Sequence, residues 1–354
     1  MSLPFFDTLP SCFPQSWVDI IAKESIQEVF RCHPGVRTIH PFSKSQVKGL
    51  AGLFKYGRAL RKYGPYDLFI TLPPSFSSAL IGCGVGSGVR TGFQAEGRTL
   101  LLTHSFPKHQ GIHRVHAYRH LLKDLQERLQ DSRNGGQGVE IGKKKRKKSV
   151  PWAWPGEIPP DDAVQKITFP FSEKERQTVF LPKQVPFKYV VFNVNADAQS
   201  RRLPLEKWVA LGNRLLKNKP NEIKLVFIGT PQQRPRVAEV MQALEPKEHL
   251  LDFAGKTSVR ELALLLHDAD AVVTNDSGPM HLANAVGAPL VTFIGAADPI
   301  ETKPFNQGKT IVINKRLPCS PCVKNSCRFP TVRCLESIPV DEIYESMRAV
   351  MGKT

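Results

Sequence analysis

Residues 275–281 (Asn-Asp-Ser-Gly-Pro-Met-His) bring a carboxylate, a hydroxyl and an imidazole close together in the chain. The first four residue types favour a turn and can cap a helix, and Pro279 fits a first helical turn because its missing N–H would have no partner there. A turn that leads into a helix can bind phosphate, since free backbone N–H groups and the positive end of the helix dipole face the ligand. A plainer interpretation stays open, in which Asp276 and Ser277 only cap the helix and His281 lies on its surface.

The flanking elements are those that a phosphate site requires. Residues 271–274 are a β-branched run that predicts a buried strand, and residues 290–294 predict a second one. Between them, Gly287 and Pro289 end the predicted helix. A strand that leads through a loop onto a helix places that loop at the carboxyl edge of a parallel sheet.

The order of residues from Asp276 to His281, between two strands, resembles the donor-binding signature of the bacterial lipopolysaccharide heptosyltransferases, the ADP-heptose-using glycosyltransferase family 9. The resemblance extends more thinly from the first residues to about Met347. It implies an α/β fold of the GT-B type, with two Rossmann-like domains facing a cleft. It also implies inverting transfer of L-glycero-D-manno-heptose from ADP-heptose to the inner core of lipopolysaccharide, with no cofactor required.

The resemblance further implies which residues bind the donor. Arg201 stands where the family has a lysine that meets the donor diphosphate, and a guanidinium can also grip phosphate. Asp276 would orient the loop, and His281 would contact the phosphates or the sugar. Leu203 replaces a family tryptophan, which leaves open a related transferase that uses another nucleotide sugar. The predicted donor-binding residues, of which the pair 256–257 would line the adenosine pocket, are Asn195, Arg201, Lys256, Thr257, Asp276, Ser277, Gly278 and His281.

The beginning of the sequence departs from the family pattern. Residues 1–12 have the pattern of a helix that follows a strand, and no strand precedes them. Family members begin with an apolar strand and a Gly-Asp turn, whose Asp is the proposed general base, so the catalytic base is left unassigned here. We expect Met1 to be an internal methionine, preceded by about fifteen residues that form this first strand. The alternative is a catalytically impaired relative that only binds.

The composition sets limits on the function. The 354 residues suffice for two domains of about 150–180 residues, and no apolar run approaches the roughly 20 residues that span a bilayer. The 49 Lys and Arg against 32 Asp and Glu give a net charge of +17, which predicts an anionic partner. A nucleic-acid-binding protein would explain this charge but not the loop from Asp276 to His281.

Residues 143–148 form the basic run Lys-Lys-Lys-Arg-Lys-Lys. No aromatic residues suited to base stacking are interleaved with it, so no nucleic acid is expected, whereas an anionic lipid surface offers about 1 kcal/mol per charge. The resemblance implies a lipid acceptor of the lipid A/Kdo type. We therefore expect a cytoplasmic protein that binds peripherally at the anionic inner face of the inner membrane.

Alternating strand and helix patterns predict the domain organisation. In the first half, predicted strands occupy residues 17–22, 36–40, 66–72 and 89–93, and predicted helices occupy residues 46–63, 75–83 and 111–130. We predict an acceptor-side domain at 1–130, a basic and Pro-rich linker at 131–186, a nucleotide-sugar domain at 187–335 and a terminal helix at 336–354.

Two sets of residues could bind metal. Cys319, Cys322, Cys327 and Cys334 have C-x2-C-x4-C-x6-C spacing, which allows a structural zinc site or, alternatively, reduced or partly paired thiols. His113, His116 and His120 share a helical face, but no carboxylate lies at matching positions. We interpret that face as solvated and basic, without a ligand.

Overall fold

The computed structural model describes residues 1–43, 45, 47–95, 97–133, 154–177, 188–218 and 223–352. The basic run at 143–148 therefore lies outside the described residues. The chain divides into two compact units. The N-terminal unit comprises Ser2–Gln27 and His33–Ala163, and the C-terminal unit comprises Met1, Glu28–Cys32 and Val164–Thr354. The predicted domain boundaries stay a prediction.

The described strands of the N-terminal unit form two separate parallel sheets, β1-β2 and β3-β4-β5. Its strands are β1 (Asp19–Lys23), β2 (Thr38–Phe42), β3 (Leu68–Thr71), β4 (Val89–Phe93) and β5 (His104–Phe106). Its helices are α1 (Leu3–Cys12), α2 (Gly49–Ala59), α3 (Phe76–Val85) and α4 (Arg114–Arg133). The helix expected at residues 1–12 is present, and a further strand beside β1 or β3 stays a prediction.

Two glycines allow α2 and α3 to pack with their backbones in contact. A Cβ atom on Gly57 would collide with the carbonyl oxygen of Ile81, and one on Gly84 would collide with that of Phe54. Arg61, in the 3-10 turn Leu60–Tyr63 that follows α2, donates to the carbonyl oxygen of Gly84 at 2.8 Å. The inner side of α2 is thereby fixed on α3.

The histidines of α4 are not the solvated face that the sequence predicted. His120 Nε2 lies 2.6 Å from Asp161 Oδ2, and His116 Nδ1 lies 3.7 Å from Asp161 Oδ1. Arg119 between them is buried and donates to the carbonyl oxygen of Pro160 at 2.9 Å. The carboxylate comes from a segment about 40 residues away, so helical spacing could not reveal it.

The C-terminal unit is built on one six-stranded parallel sheet in the order β11-β10-β9-β6-β7-β8. Its strands are β6 (Lys188–Asn193), β7 (Ile223–Phe227), β8 (Leu250–Asp252), β9 (Ala271–Asn275), β10 (Leu290–Phe293) and β11 (Thr310–Ile313). Its longer helices are α6 (Leu205–Asn218), α7 (Arg234–Gln242), α8 (Val259–His267), α9 (Gly278–Val286) and α12 (Val340–Met351). The short helices are α5 (Glu173–Gln177), α10 (Pro299–Thr302) and α11 (Arg333–Glu336).

Helices cover both faces of this sheet, which explains why its central strands are apolar throughout. Val190 and Phe192 of β6 pack with Trp208 of α6 in one core, whereas Tyr189 and Val191 face the other core. Successive side chains of a strand point to opposite faces, so a strand buried on both sides cannot alternate with polar residues.

Arg260, in the first turn of α8, joins distant parts of the C-terminal unit. It is 5% exposed, and its guanidinium donates to the carbonyl oxygens of Glu28 at 2.8 Å and Pro170 at 2.7 Å. It also forms an ion pair with Glu175, whose Oε2 accepts at 2.6 Å. The hydrogen bonds from Arg260 hold the pKa of the Glu175 carboxyl at about 2, well below its ordinary value.

Candidate functional site

The two central strands of the C-terminal sheet define the place where a ligand can bind. From β6 the chain continues to β7 on one side, and β9 lies on the other side of β6. The loops that leave the carboxyl ends of β6 and β9 therefore diverge at a topological switch point, the usual ligand crevice of an open parallel sheet. Asn193 pairs in register with Thr274, so these two loops start side by side.

The loop before α9 is held by Asn193, a residue that the sequence did not single out. Its side-chain amide donates to Thr274 Oγ1 and to Ser277 Oγ, both at 2.8 Å. Ser277 Oγ donates in turn to the carbonyl oxygen of Asn275 at 3.2 Å. The Ser277 hydroxyl is therefore occupied by the loop, and the interpretation of this residue as a side-chain helix cap is wrong.

The N-terminus of α9 opens towards solvent. The N-cap residue Ser277 makes no side-chain cap hydrogen bond, and Pro279 occupies the first turn as predicted. Gly278 is exposed, with open space where a side chain would begin. His281 lies half-buried on the first turn. The positive end of the helix dipole is thus accessible to an anion.

Arg201 and Asp276 connect the loops that follow β6 and β9. Arg201 closes the 3-10 turn Gln199–Arg201, and its Nη1 lies 3.5 Å from Oδ2 of Asp276. The Asp276 side chain is 3% exposed, whereas that of Arg201 is 33% exposed. A buried carboxylate therefore holds a guanidinium whose outer part still faces solvent beside α9, where it can bind a second anion.

Other side chains fix the loop that carries Arg201 by binding backbone carbonyl groups. The guanidinium of Arg236 on α7 donates to the carbonyl oxygens of Val194 and Leu203, both at 3.0 Å. Ser200 Oγ donates to the carbonyl oxygen of Lys324 at 2.5 Å. Both ends and the middle of the loop are tied to neighbouring segments, which limits where Arg201 can move.

The remaining predicted donor-binding residues lie along the same sheet edge in different roles. Asn195 is buried, and its amide donates to the carbonyl oxygen of Ile228 at 3.3 Å. Lys256 Nζ donates to the backbone of Asp252 at 2.7 Å and lies 3.4 Å from the carboxylate of that residue. Thr257 immediately precedes Ser258, which forms a capping box with Glu261 at the start of α8. The structure thus groups Arg201, Asp276 and α9, whereas Lys256 binds its own loop.

The clustered cysteines do not assemble into the zinc site that their spacing allowed. Cys334 is buried at α11, with its sulfur against Gly295, while Cys322 is exposed. Burial raises the pKa of the Cys334 thiol, and the nearby Cys319 and Cys327 raise it further. Among the described residues, no group of three or more His, Cys, Asp or Glu could hold a metal ion.

Comparison with known protein families assigns the chain to one of them. The sequence pattern of the family described as "Glycosyltransferase family 9 (heptosyltransferase)" matches residues 53–333. The chain belongs to glycosyltransferase family 9. It is accordingly a glycosyltransferase of the heptosyltransferase type, whose relatives serve lipopolysaccharide synthesis, and the resemblance noted in the loop at Asp276 is confirmed.

Two characterised relatives match most of this glycosyltransferase. It is 27% identical over 317 residues to lipooligosaccharide heptosyltransferase 2 of Haemophilus influenzae, which covers 88% of this chain and 84% of the relative. It is 24% identical over 323 residues to lipopolysaccharide heptosyltransferase 2 of Escherichia coli, covering 88% and 83% of the two chains.

Solved structures confirm the fold class. The E. coli ADP-heptose lipopolysaccharide heptosyltransferase II superposes with a TM-score of 0.73 at 23% identity, over 99% of this chain and 94% of the other. The E. coli heptosyltransferase WaaC with ADP gives 0.67 at 16% identity, over 99% and 95%. At these identities the likeness establishes the α/β GT-B-type fold alone. None of the described helices combines the length and apolar character that a membrane span needs.

Proposed function

We propose that this glycosyltransferase transfers heptose, with inversion, from ADP-L-glycero-D-manno-heptose to the inner core of lipopolysaccharide. The observation that carries the proposal is the Arg201–Asp276 pair beside the uncapped N-terminus of α9 at the switch point. The exposed part of the Arg201 guanidinium and the helix dipole offer positive charge to a diphosphate from two directions. ADP is also the molecule held by the solved E. coli relative WaaC.

The same groups suit the chemistry of donor cleavage. Breaking the bond between the sugar and the diphosphate leaves negative charge on ADP, and Arg201, the N-terminus of α9 and His281 would stabilise that charge in the transition state. These groups make a metal ion unnecessary for departure of ADP in this proposal. Asn195, Ser277 and Gly278 would shape the loop, and Lys256 with Thr257 would line the adenosine side.

Leu203 bears on the choice of donor sugar. Its side chain is fully buried in the core, and its backbone N–H donates to Oδ1 of Asn275 at 2.9 Å. The exchange of the family tryptophan for leucine therefore changes the packing beneath the loop. We retain heptose as the proposed donor sugar. The proposed acceptor is a lipid of the lipid A/Kdo type at the cytoplasmic face of the inner membrane.

Calorimetric titration with ADP tests the donor site. Arg201→Ala and His281→Ala should each weaken ADP binding by roughly 1–3 kcal/mol, because each removes a charge-assisted contact to phosphate. Lys256→Ala should have a smaller effect, since its ammonium already binds Asp252. Arg348→Ala, on the exposed face of α12, serves as the matched control.

Three results would overturn the proposal. Unchanged ADP affinity in both Arg201→Ala and His281→Ala would remove the donor site from this sheet edge. Tight binding of ADP without transfer from ADP-heptose to a Kdo-lipid A acceptor would instead favour the binding-only alternative, and turnover of a different ADP-sugar would favour the related transferase.

A further inference from the structure

The N-terminal unit carries a basic surface that the donor site does not use. Residues 33–66 of this unit contain seven Lys or Arg and no Asp or Glu. Within this segment, α2 and the turn after it expose large apolar side chains: Leu50 is 62% exposed, Phe54 is 38% exposed and Tyr63 is 46% exposed. Large apolar side chains that are exposed close together and bordered by polar or charged residues mark an interaction surface.

The helical geometry gathers these side chains on one side of α2. Leu50, Phe54 and Arg58 follow each other at a spacing of four and therefore share a face, with Lys55 beside them. On the other side of the helix, Leu53 and Tyr56 pack against the core of the unit, and Gly57 at the edge between the two sides contacts α3. We call the outward side, with the end of the following turn, the α2 surface; its residues are Leu50, Phe54, Lys55, Arg58, Lys62 and Tyr63.

Aromatic and basic groups continue beyond the end of this helix. The Lys62 ammonium lies 4.9 Å from the ring centroid of Tyr63. Arg37 Nη2 lies 3.5 Å from the carbonyl oxygen of Tyr63, and its guanidinium lies 5.9 Å from the ring centroid of Trp17. Trp17 is 76% exposed. Tryptophan and tyrosine flanked by cations are the side chains that favour the boundary between lipid headgroups and acyl chains.

We propose that the α2 surface docks on an anionic phospholipid bilayer. Leu50 and Phe54 would enter the headgroup boundary, while Lys55, Arg58 and Lys62 bury their stems and keep their charges at the phosphates. The α2 surface carries three positive charges and no negative charge around its apolar side chains, and this charge matches the anionic headgroups of a phospholipid bilayer. This inference rests on the proposed function only in placing the bilayer surface at the cytoplasmic face of the membrane. Lipid binding and ADP binding are measured in separate experiments.

Co-sedimentation of the full chain with vesicles tests the proposal. Vesicles of phosphatidylglycerol and phosphatidylcholine should bind the chain, and vesicles of phosphatidylcholine alone should bind it weakly. Lys55→Gln/Arg58→Gln should lower the partition onto the anionic vesicles roughly 25-fold, about five-fold for each charge. The matched control Lys217→Gln/Arg348→Gln removes two exposed charges from the C-terminal unit and should change little.

A second variant separates apolar insertion from net charge. Leu50→Ser/Phe54→Ser should also reduce vesicle binding while the unfolding midpoint and ADP affinity stay unchanged, because both side chains are exposed. An equal loss in the control pair would show attraction by overall charge alone and overturn the proposal. The proposal would also be overturned if replacing residues 143–148 by serine abolished vesicle binding completely. Conversion of a dimer to a monomer by the apolar variant would assign the α2 surface to a second copy of the chain instead.

Discussion

Asn193 sets the shape of the loop before α9 through one side-chain amide. Asn193→Ala removes the hydrogen bonds to Thr274 and Ser277 and leaves buried oxygen atoms without this donor. We expect a loss of roughly 1–3 kcal/mol in the free energy of unfolding, measured with urea, together with weaker binding of ADP. Asn218→Ala, which removes an exposed amide at the end of α6, is the control. Equal stability of the two variants would contradict this role.

The sequence identified the side chains proposed to bind the ligand better than the side chains that position the binding loops. Asp276 could be selected because it stands in a turn before a predicted helix, and Arg201 because it stands where the resembling family has a lysine that meets the donor diphosphate. Asn193 and Arg236 could not, because they act on neighbouring hydroxyl groups or on carbonyl groups of the backbone. Such partners carry no spacing signal in the sequence. The alternative interpretation of Ser277 as a side-chain cap failed for the same reason, since Asn193, 84 residues away, donates a hydrogen bond to its hydroxyl.

At the scale of elements, the contact between α2 and α3 depends on two positions without side chains. Gly57→Ala should destabilise the N-terminal unit by roughly 1–3 kcal/mol, because the added methyl group collides with the backbone of α3. Gly52→Ala in the same helix is the matched control. Its nearest neighbour would be 3.4 Å away, so the better helix propensity of alanine should stabilise by up to about 1 kcal/mol. Thermal unfolding that moves in the same direction for both variants would refute the packing argument.

The sequence located most strands but not how they pair. β4 was predicted with its observed bounds, and the predicted strand at 17–22 is shifted from β1 by one or two residues, because hydrophobic periodicity reports burial and not hydrogen-bond ladders. β5 has three residues, too few for any period to show. The partition of the N-terminal strands into two sheets is a property of long-range pairing, which local patterns do not contain.

At the scale of the whole molecule, the free energy of unfolding depends on pH through two carboxylates, one in each unit. Burial disfavours the charge on Asp19, but hydrogen bonds from Arg37 and Tyr66 outweigh it and hold the pKa at about 2. Arg260 does the same for Glu175. In the unfolded chain these groups take up protons near 3.8 and 4.5. Their contribution, about 2–3 kcal/mol each, is therefore complete above those values and is lost as the pH falls towards 2.

Urea unfolding of Asp19→Asn against the unmodified chain measures this contribution. The difference in stability should be largest near neutral pH and should shrink at about pH 3. At that pH the Asp19 carboxylate of the unmodified chain begins to take up a proton and loses the stabilisation that its charge provides. Glu175→Gln should behave alike in the C-terminal unit. A difference that is independent of pH would show that shape and hydrogen bonding, and not charge, account for the effect.

The contact between Arg260 and Glu28 also has a consequence during synthesis of the chain. The two residues are 232 positions apart, so a ribosome adding about 5–20 residues per second makes the arginine roughly ten to fifty seconds after the glutamate. The network around Asp19 needs only Arg37 and Tyr66, which are 18 and 47 positions away, and it can close while translation continues. Residues 28–32 therefore stay without this partner until the chain has been synthesised as far as Arg260.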